Sequence, residues 1–115
     1  KDIVIRGGMN ISVREVEDKL ATHPELAALA VVAMPDPVLG EKVCVFVVPN
    51  EGASAPSVEQ LRQFLTDRGV AIQKTPERVE VVESLPMTAT GKIQKHLLRK
   101  QIADKLDQVT AVGAH

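Results

Sequence analysis

The 115-residue chain has few aromatic side chains: it contains two Phe and neither Trp nor Tyr. Its net charge is −1, so it also lacks an excess of basic residues. Proteins that read nucleic acids need a basic face and aromatic platforms on which bases can stack. We therefore expect no nucleic-acid partner for this chain.

Cysteine and histidine are also scarce. Cys44 is the only cysteine and lies inside the apolar run 43–48, which is typical of a small buried hydrophobic residue rather than a nucleophile. The three histidines are scattered along the chain, without the close spacing that metal sites use. The sequence therefore predicts no metal site.

Long hydrophobic segments are missing as well. No apolar run approaches the roughly 20 residues that a membrane-spanning helix needs, and no signal peptide is visible. We therefore expect a cytoplasmic protein without a membrane span. The chain is long enough for one domain with a real core, and its 44% of apolar residues give no reason to expect disorder.

The apolar pattern predicts an α+β fold. Residues 29–33 and 43–48 are continuous β-favouring runs, as expected of strands that are covered on both faces. Residues 79–82 indicate a third strand, and a short strand over 2–6 leads into a tight turn at Gly7-Gly8. We expect a short N-terminal β-hairpin and a central sheet of about three strands, packed by three helices.

The helices are predicted from their start signals. Ser12-Val13-Arg14-Glu15 and Ser57-Val58-Glu59-Gln60 are both capping boxes. We place the helices at 13–22, from Ser57 to the stop signal Arg68-Gly69, and at 93–106, with one further turn at 71–74. Residues 107–115 carry no pattern and are expected to fray.

The segment Pro86-Met87-Thr88-Ala89-Thr90-Gly91-Lys92 leads into the last helix. It places the lysine at the tip of a tight loop, where its ammonium group can reach a phosphate or a carboxylate. Gly91 allows the backbone to fold tightly, and Thr88 and Thr90 can brace the loop. Taken alone, this lysine would be an ordinary solvated side chain after a turn.

Residues 1–17 carry a second motif, which includes Gly7-Gly8-Met9-Asn10-Ile11. Together with the segment 86–99, it resembles the C-terminal domain of the adenylate-forming superfamily. This superfamily contains acyl-CoA synthetases, the adenylation domains of nonribosomal peptide synthetases and firefly luciferase. The resemblance covers residues 1–106, and Val13 stands where the family usually has proline.

The resemblance implies a mechanism with two half-reactions. A carboxylic acid and ATP first give an acyl-adenylate and pyrophosphate, and CoA then displaces AMP to give the CoA ester. Lys92 would act in the first step, as a fixed ammonium group that bridges the acid and the α-phosphate. The residues around the adenylate would be Thr88, Thr90, Gly91 and Asn10. The expected cofactors are ATP, CoA and Mg2+, with the Mg2+ and most ATP contacts in a larger N-terminal domain.

Thioester formation would use the other motif. The resemblance places Gly7, Gly8 and Met9 along a channel for the pantetheine arm of CoA, and glycines suit a channel that side chains would block. Lys74 would lie near CoA as well. Lys1 stands at the family's hinge position, about which the domain would rotate between the two half-reactions.

Several residues have more than one interpretation. Gln73 stands where the family often has an aromatic residue, so it offers no ring for stacking on adenine. Glu15 is interpreted first as a helix cap and second as a support for the glycine hairpin. Residues 35–41 form either a recurring family loop beside the active site or a simple turn. The basic run Lys92, Lys95, Arg99 and Lys100 would contact phosphates or, as we favour, form a solvated helix face.

The leading hypothesis is a mobile, C-terminal lid domain of an ATP-dependent acid–CoA ligase. Its partner would be its own N-terminal adenylate-forming domain. That missing domain would hold the acid pocket, so we expect the chain alone to be inactive. One alternative is the C-terminal domain of an aryl-acid adenylating enzyme that loads a carrier protein. Another is a small α/β binding domain without catalysis.

Overall fold

A computed structural model describes residues 2–113, the last five of them as backbone only. The elements in chain order are β1 Ile3–Arg6, β2 Met9–Ser12, α1 Val13–Leu20, β3 Leu26–Asp36, β4 Gly40–Pro49, α2 Val58–Thr66, a 3-10 turn Ile72–Lys74, β5 Arg78–Val81 and α3 Lys95–Gly113. This order confirms the α+β class, the N-terminal hairpin and the three α-helices that the sequence predicts.

The strands form one sheet with the order β2-β1-β4-β3, and β5 lies parallel to β4. The N-terminal hairpin is therefore part of the main sheet, and it joins β4 through the pair Arg6 and Gly40. β3 pairs antiparallel with β4 over their full lengths and forms an edge of the sheet. The turn between β3 and β4 is consequently brought beside the turn between β1 and β2.

Both faces of β3 and β4 are covered, as predicted. Because successive side chains of a strand point to opposite faces, alternate residues enter two different clusters. Val31 and Val45 belong to the cluster under α1 and α2. Val32, Cys44 and Phe46 belong to the cluster under α3. The continuous apolar runs are thus explained by helices on both sides of the sheet.

The bounds of β3, β4 and β5 differ from the prediction. β3 runs on to Asp36 and β4 begins at Gly40, so the proline-rich connection is only a turn over 37–39. Pro35 lies within β3, which is possible because an edge strand tolerates a residue that donates no ladder hydrogen bond. β5 covers Arg78–Val81 rather than 79–82.

The two capping signals mark real helix starts. Ser12 Oγ accepts from Glu15 N at 3.2 Å, and α1 ends at Leu20, two residues before the predicted position. At α2 the box is complete, since Ser57 Oγ accepts from Gln60 N and Gln60 Oε1 accepts from Ser57 N. The predicted extra turn before Thr75 is the 3-10 turn Ile72–Lys74.

The last helix differs from the prediction at both ends. It begins at Lys95 instead of 93, because Ile93 pairs with Met87 in a short β-bridge. It also continues past residue 106 as far as Gly113, so the segment expected to fray from 107 onward is helical up to that residue. None of the helices within residues 2–113 has the combined length and apolar character that a bilayer crossing requires.

Glu80 fastens α3 to the sheet. Its carboxylate accepts from Arg78 Nε at 2.9 Å and from Lys105 Nζ of α3 at 2.7 Å. Burial raises the pKa of this carboxyl, but the hydrogen bonds from Lys105 and Arg78 outweigh it and leave the pKa below its ordinary value. The folded chain therefore favours the charged form of Glu80.

Candidate functional site

The lysine loop is closed by its own hydrogen bonds. Thr88 N donates to Lys92 O at 2.8 Å, and Gly91 N donates to Thr88 O at 2.9 Å. The Thr88 hydroxyl accepts from Lys92 N at 3.1 Å and lies 3.0 Å from the Thr90 hydroxyl. Thr88 therefore braces the turn from both its backbone and its side chain.

Gly91 is required because of the backbone conformation of this loop, and not because a side chain would clash there. Its φ is +85°, a left-handed conformation that residues with a side chain rarely adopt. A Cβ placed on Gly91 would meet no heavy atom within 4 Å. The two ends of the loop are held together by the Met87–Ile93 bridge and by a hydrogen bond in which Gln94 N donates to Pro86 O at 2.8 Å.

Lys92 is exposed at the rim of a depression of about 350 Å³. The residues that line this depression are Asp2, Lys92, Ile93, Lys95, His96 and Arg99. Among the residues that the structure describes, no carboxylate lies within ion-pair distance of the Lys92 ammonium group, whereas the neighbouring Lys95 is paired with Glu17 at 2.7 Å. Lys92 thus faces solvent among other basic side chains, and this arrangement favours the binding of an anionic ligand.

Glu17 holds the start of α3 in place. Its carboxylate accepts from the Val31 backbone N–H of the edge strand at 2.9 Å and from Lys95 Nζ at 2.7 Å. Lys95 is the first residue of α3 and comes three positions after Lys92. No sequence pattern connects Glu17 with Lys95, because both look like ordinary surface charges until the fold brings them together.

The glycine hairpin is a two-residue turn with both residues in the left-handed region. Gly7 has φ +55° and Gly8 has φ +83°, between the paired residues Arg6 and Met9. This is the turn geometry that two-residue hairpins favour. A Cβ on Gly7 would lie 3.1 Å from Leu39 Cδ2, whereas a Cβ on Gly8 would meet nothing within 4 Å. Gly8 therefore borders open space.

The other residues predicted for the CoA channel and the adenylate lie in different surroundings. Met9 is half-buried and packs against the core, so its side chain is partly committed to the fold. Asn10 is exposed. Lys74 Nζ lies 3.9 Å from the Glu15 carboxylate, which links the 3-10 turn to α1. Lys1, the predicted hinge residue, lies outside the described residues.

A network of charged side chains begins at Arg6, the residue directly before the glycine hairpin. Arg6 forms an ion pair with Glu77, and Lys42 Nζ lies 3.5 Å from Glu77 and 3.3 Å from Asp36. Hydrogen bonds to the Asp36 carboxylate, first from Leu39 N, hold the pKa of Asp36 below its ordinary value. Arg6 and Glu77 are 71 positions apart in the chain, so the sequence alone could not connect them.

The two loops lie near opposite ends of β1. Asp2, which precedes β1, lines the depression at Lys92, and the glycine hairpin follows Arg6 at the other end. Five residues of extended chain span about 16 Å, because a strand rises by about 3.3 Å per residue. The lysine loop and the glycine hairpin are therefore separated by about the length of β1.

The described residues offer neither an activated cysteine nor a cluster of metal ligands. Burial raises the pKa of the Cys44 thiol to about 12, so it stays protonated and is a poor nucleophile, as the sequence predicts. Within residues 2–113, no three His, Cys, Asp or Glu side chains are grouped in a way that could hold a metal ion.

Comparison with known proteins assigns the chain to a family. The family model described as "AMP-binding enzyme C-terminal domain" matches residues 15–92, which is more than half of the chain. The medium-chain fatty-acid–CoA ligase of Escherichia coli is 49% identical over 94% of this chain and 19% of its own length. The 2,3-dihydroxybenzoate-AMP ligase of Bacillus subtilis is 46% identical over 92% of this chain and 19% of its own length.

A solved structure gives the same result for the fold. The apo structure of MbtA from Mycobacterium smegmatis superposes with a TM-score of 0.80 at 44% identity, over 88% of this chain and 19% of that chain. The present chain thus spans about a fifth of the length of the proteins it matches. The chain belongs to the family of AMP-binding enzyme C-terminal domains, within the adenylate-forming superfamily.

Proposed function

We propose that this chain is the mobile C-terminal domain of an AMP-forming acid–CoA ligase. Lys92 serves the adenylation step, and the Gly7-Gly8 hairpin serves thioester formation. The observation that carries the proposal is the separation of the two loops by the length of β1. Two elements so far apart cannot both contact one acyl carbon at once, so the domain must turn between the two steps.

In the adenylation step, a carboxylate oxygen attacks the α-phosphorus of ATP. The bond to the leaving pyrophosphate breaks, and an acyl-adenylate forms. Negative charge is concentrated where the two anions meet, so a fixed cation stabilises both their approach and the transition state. The Lys92 ammonium group supplies that cation and transfers no proton. Thr88, Thr90 and Gly91 hold it at the loop tip, and Asn10 approaches the adenylate after the domain turns.

In the second step, the thiol of CoA attacks the acyl carbon, and AMP leaves. The pantetheine arm passes the glycine hairpin, where the open space beside Gly8 leaves room for it. Met9 borders the same passage from its half-buried position, and Lys74 lies near the CoA nucleotide. Mg2+ and most of the ATP contacts belong to the N-terminal domain, which also selects the acid. The chain alone is accordingly inactive.

CoA is the acceptor in this proposal, and a carrier protein is the second candidate. The fatty-acid–CoA ligase favours the first, and the 2,3-dihydroxybenzoate-AMP ligase keeps the second under consideration. The test supplies pre-made acyl-adenylate to the complete enzyme and compares CoA with a pantetheinylated carrier protein. Faster ester formation on CoA supports the proposal, and faster loading of the carrier protein assigns the enzyme to the second class.

The role of Lys92 is tested in the complete enzyme with Lys92→Ala. Pyrophosphate release from acid and ATP reports adenylation, and CoA ester formation from pre-made acyl-adenylate reports the second step. Adenylation should fall by roughly 10²–10³-fold, as when one electrostatic contact to a transition state is lost, while the second step survives. Lys100→Ala is the control, since Lys100 is an exposed lysine paired with Asp104. Unchanged adenylation in Lys92→Ala would overturn the proposal.

A further inference from the structure

The turn between β3 and β4 is held by one carboxylate. Asp36 Oδ2 accepts from Leu39 N at 2.8 Å and from Val38 N at 3.1 Å. A side chain that accepts from the two following amides fixes the path of a turn in the way a helix cap fixes a first turn. The position of Leu39 therefore depends on Asp36.

Leu39 is the contact between this turn and the glycine hairpin. Its carbonyl accepts from Gly7 N at 2.8 Å, and its Cδ2 would lie 3.1 Å from a Cβ on Gly7. The adjoining Ile5 N–H donates to Glu41 Oε1 at 2.8 Å. The turn thus touches the hairpin through a hydrogen bond, and the Leu39 side chain lies beside Gly7, so a shift of Leu39 would be passed to Gly7.

The same carboxylate also belongs to the network of charged side chains that begins at Arg6. Its other oxygen lies 3.3 Å from Lys42 Nζ, and Lys42 also faces Glu77, the ion-pair partner of Arg6. Arg6 directly precedes Gly7. The side chains in this network are at most 30% exposed, so solvent screens them less than it screens ordinary surface pairs. Asp36 is therefore linked to the hairpin through Leu39 and through Arg6.

We infer that Asp36 is a positioning residue for thioester formation: it sets the turn 37–39 so that Leu39 holds the Gly7-Gly8 hairpin in place. This inference rests on the proposed function of the hairpin. Under this inference, the turn 37–39 within residues 35–41 serves the hairpin. Asp36 itself does not touch the reacting atoms.

The first test measures amide hydrogen exchange at Gly7 in the 115-residue chain and needs no enzyme activity. Asp36→Ala removes both hydrogen bonds of the turn and should speed exchange at Gly7 by roughly fivefold, as for the loss of one cap. Asp36→Asn keeps an oxygen for the two amides and loses only the Lys42 pair, so its effect should be smaller. Asp104→Asn, at an exposed ion pair, is the matched control. Equal exchange in Asp36→Ala and wild type overturns the inference.

The second test uses the complete enzyme and the two half-reactions. In Asp36→Ala, ester formation from pre-made acyl-adenylate should slow by roughly 10–100-fold, the effect of a small misplacement in a reacting site, and the KM for CoA should rise. Adenylation should be unchanged, and Asp36→Asn should restore much of the ester-forming rate. A general loss of stability would lower both half-reactions together and would overturn the inference.

The outcomes separate this inference from the proposed function. If Gly7 exchange responds to Asp36→Ala but the ester-forming rate does not, the inference is wrong and the proposed function stands. If Lys92→Ala leaves adenylation unchanged, the proposed function fails, whatever the exchange at Gly7. Lys42→Met gives a second variant that leaves the turn's hydrogen bonds intact, should Asp36→Ala not fold. It should keep most of the ester-forming rate, as Asp36→Asn does, and a loss of roughly tenfold or more in both variants would count against the inference.

Discussion

Replacing Gly91 with alanine should separate the effect of loop geometry on adenylation from its effect on stability. Gly91 and Gly52 have nearly the same left-handed φ, +85° and +79°, and a Cβ on either would meet nothing within 4 Å. Both substitutions therefore carry a backbone cost and no steric cost. Gly52 lies in the exposed loop between β4 and α2, outside the lysine loop and the glycine hairpin, and is the matched control.

The expected stability change is the same for both variants. An L-residue in the left-handed region costs about 1–2 kcal/mol. Alanine also reduces the entropy of the unfolded chain, which returns about 0.4–1 kcal/mol. The net loss should be about 1 kcal/mol in each case, measured as the free energy of unfolding of the chain in urea.

The expected change in activity is different. In Gly91→Ala the loop must relax toward an ordinary conformation, and this relaxation moves Lys92, whose N–H is bonded to the Thr88 hydroxyl. Pyrophosphate release by the complete enzyme should then fall by roughly tenfold or more. In Gly52→Ala it should be unchanged. Equal adenylation rates in the two variants would refute the link between this glycine and the placement of the lysine.

Three further predictions concern the pairs and buried groups around the two loops. Glu17→Gln and Lys95→Met should each lower the free energy of unfolding by about 1 kcal/mol, and a double-mutant cycle in urea should show that their effects are not additive; additive effects would contradict the ion pair. The carboxyl groups of Asp36 and Glu80 have pKa values below the ordinary 3.8 and 4.5, so they stabilise the fold above those values. The free energy of unfolding should therefore fall as the pH drops below about 4.5, and it should fall less steeply in Asp36→Asn. A free energy of unfolding that stays constant below this pH would contradict the prediction. Cys44, with a thiol pKa of about 12, should react with a thiol reagent only after urea unfolds the chain; fast labelling of the native chain would disprove its burial.

The local signals in the sequence were sufficient for much of the fold. The capping residues Ser12 and Ser57 mark helix starts because a hydroxyl that accepts from a nearby amide acts within a few residues. The apolar run 43–48 predicts a strand covered on both faces for a similarly direct reason, since no polar residue interrupts it. The lysine loop and the glycine hairpin were predicted from the same kind of short-range chemistry.

Long-range contacts could not be predicted in this way. Pro35 suggested that a strand ends before it, because nothing in the sequence says that β3 would be an edge strand. The supports of the two loops, Glu17 with Lys95 and Asp36 with Lys42, depend on which strands become neighbours. The register of β3 with β4 brings the turn 37–39 beside the hairpin, and only the folded sheet supplies that information.

If the lysine loop and the glycine hairpin serve different half-reactions, a change in each loop should impair a different step. Both half-reactions are measured in the complete enzyme with Lys92→Ala and with Gly8→Leu, which places a side chain in the open space beside the hairpin. We expect opposite patterns: Lys92→Ala loses adenylation and keeps ester formation, whereas Gly8→Leu keeps adenylation and loses ester formation. If each variant lowers both half-reactions to the same extent, the two loops do not divide the chemistry between them.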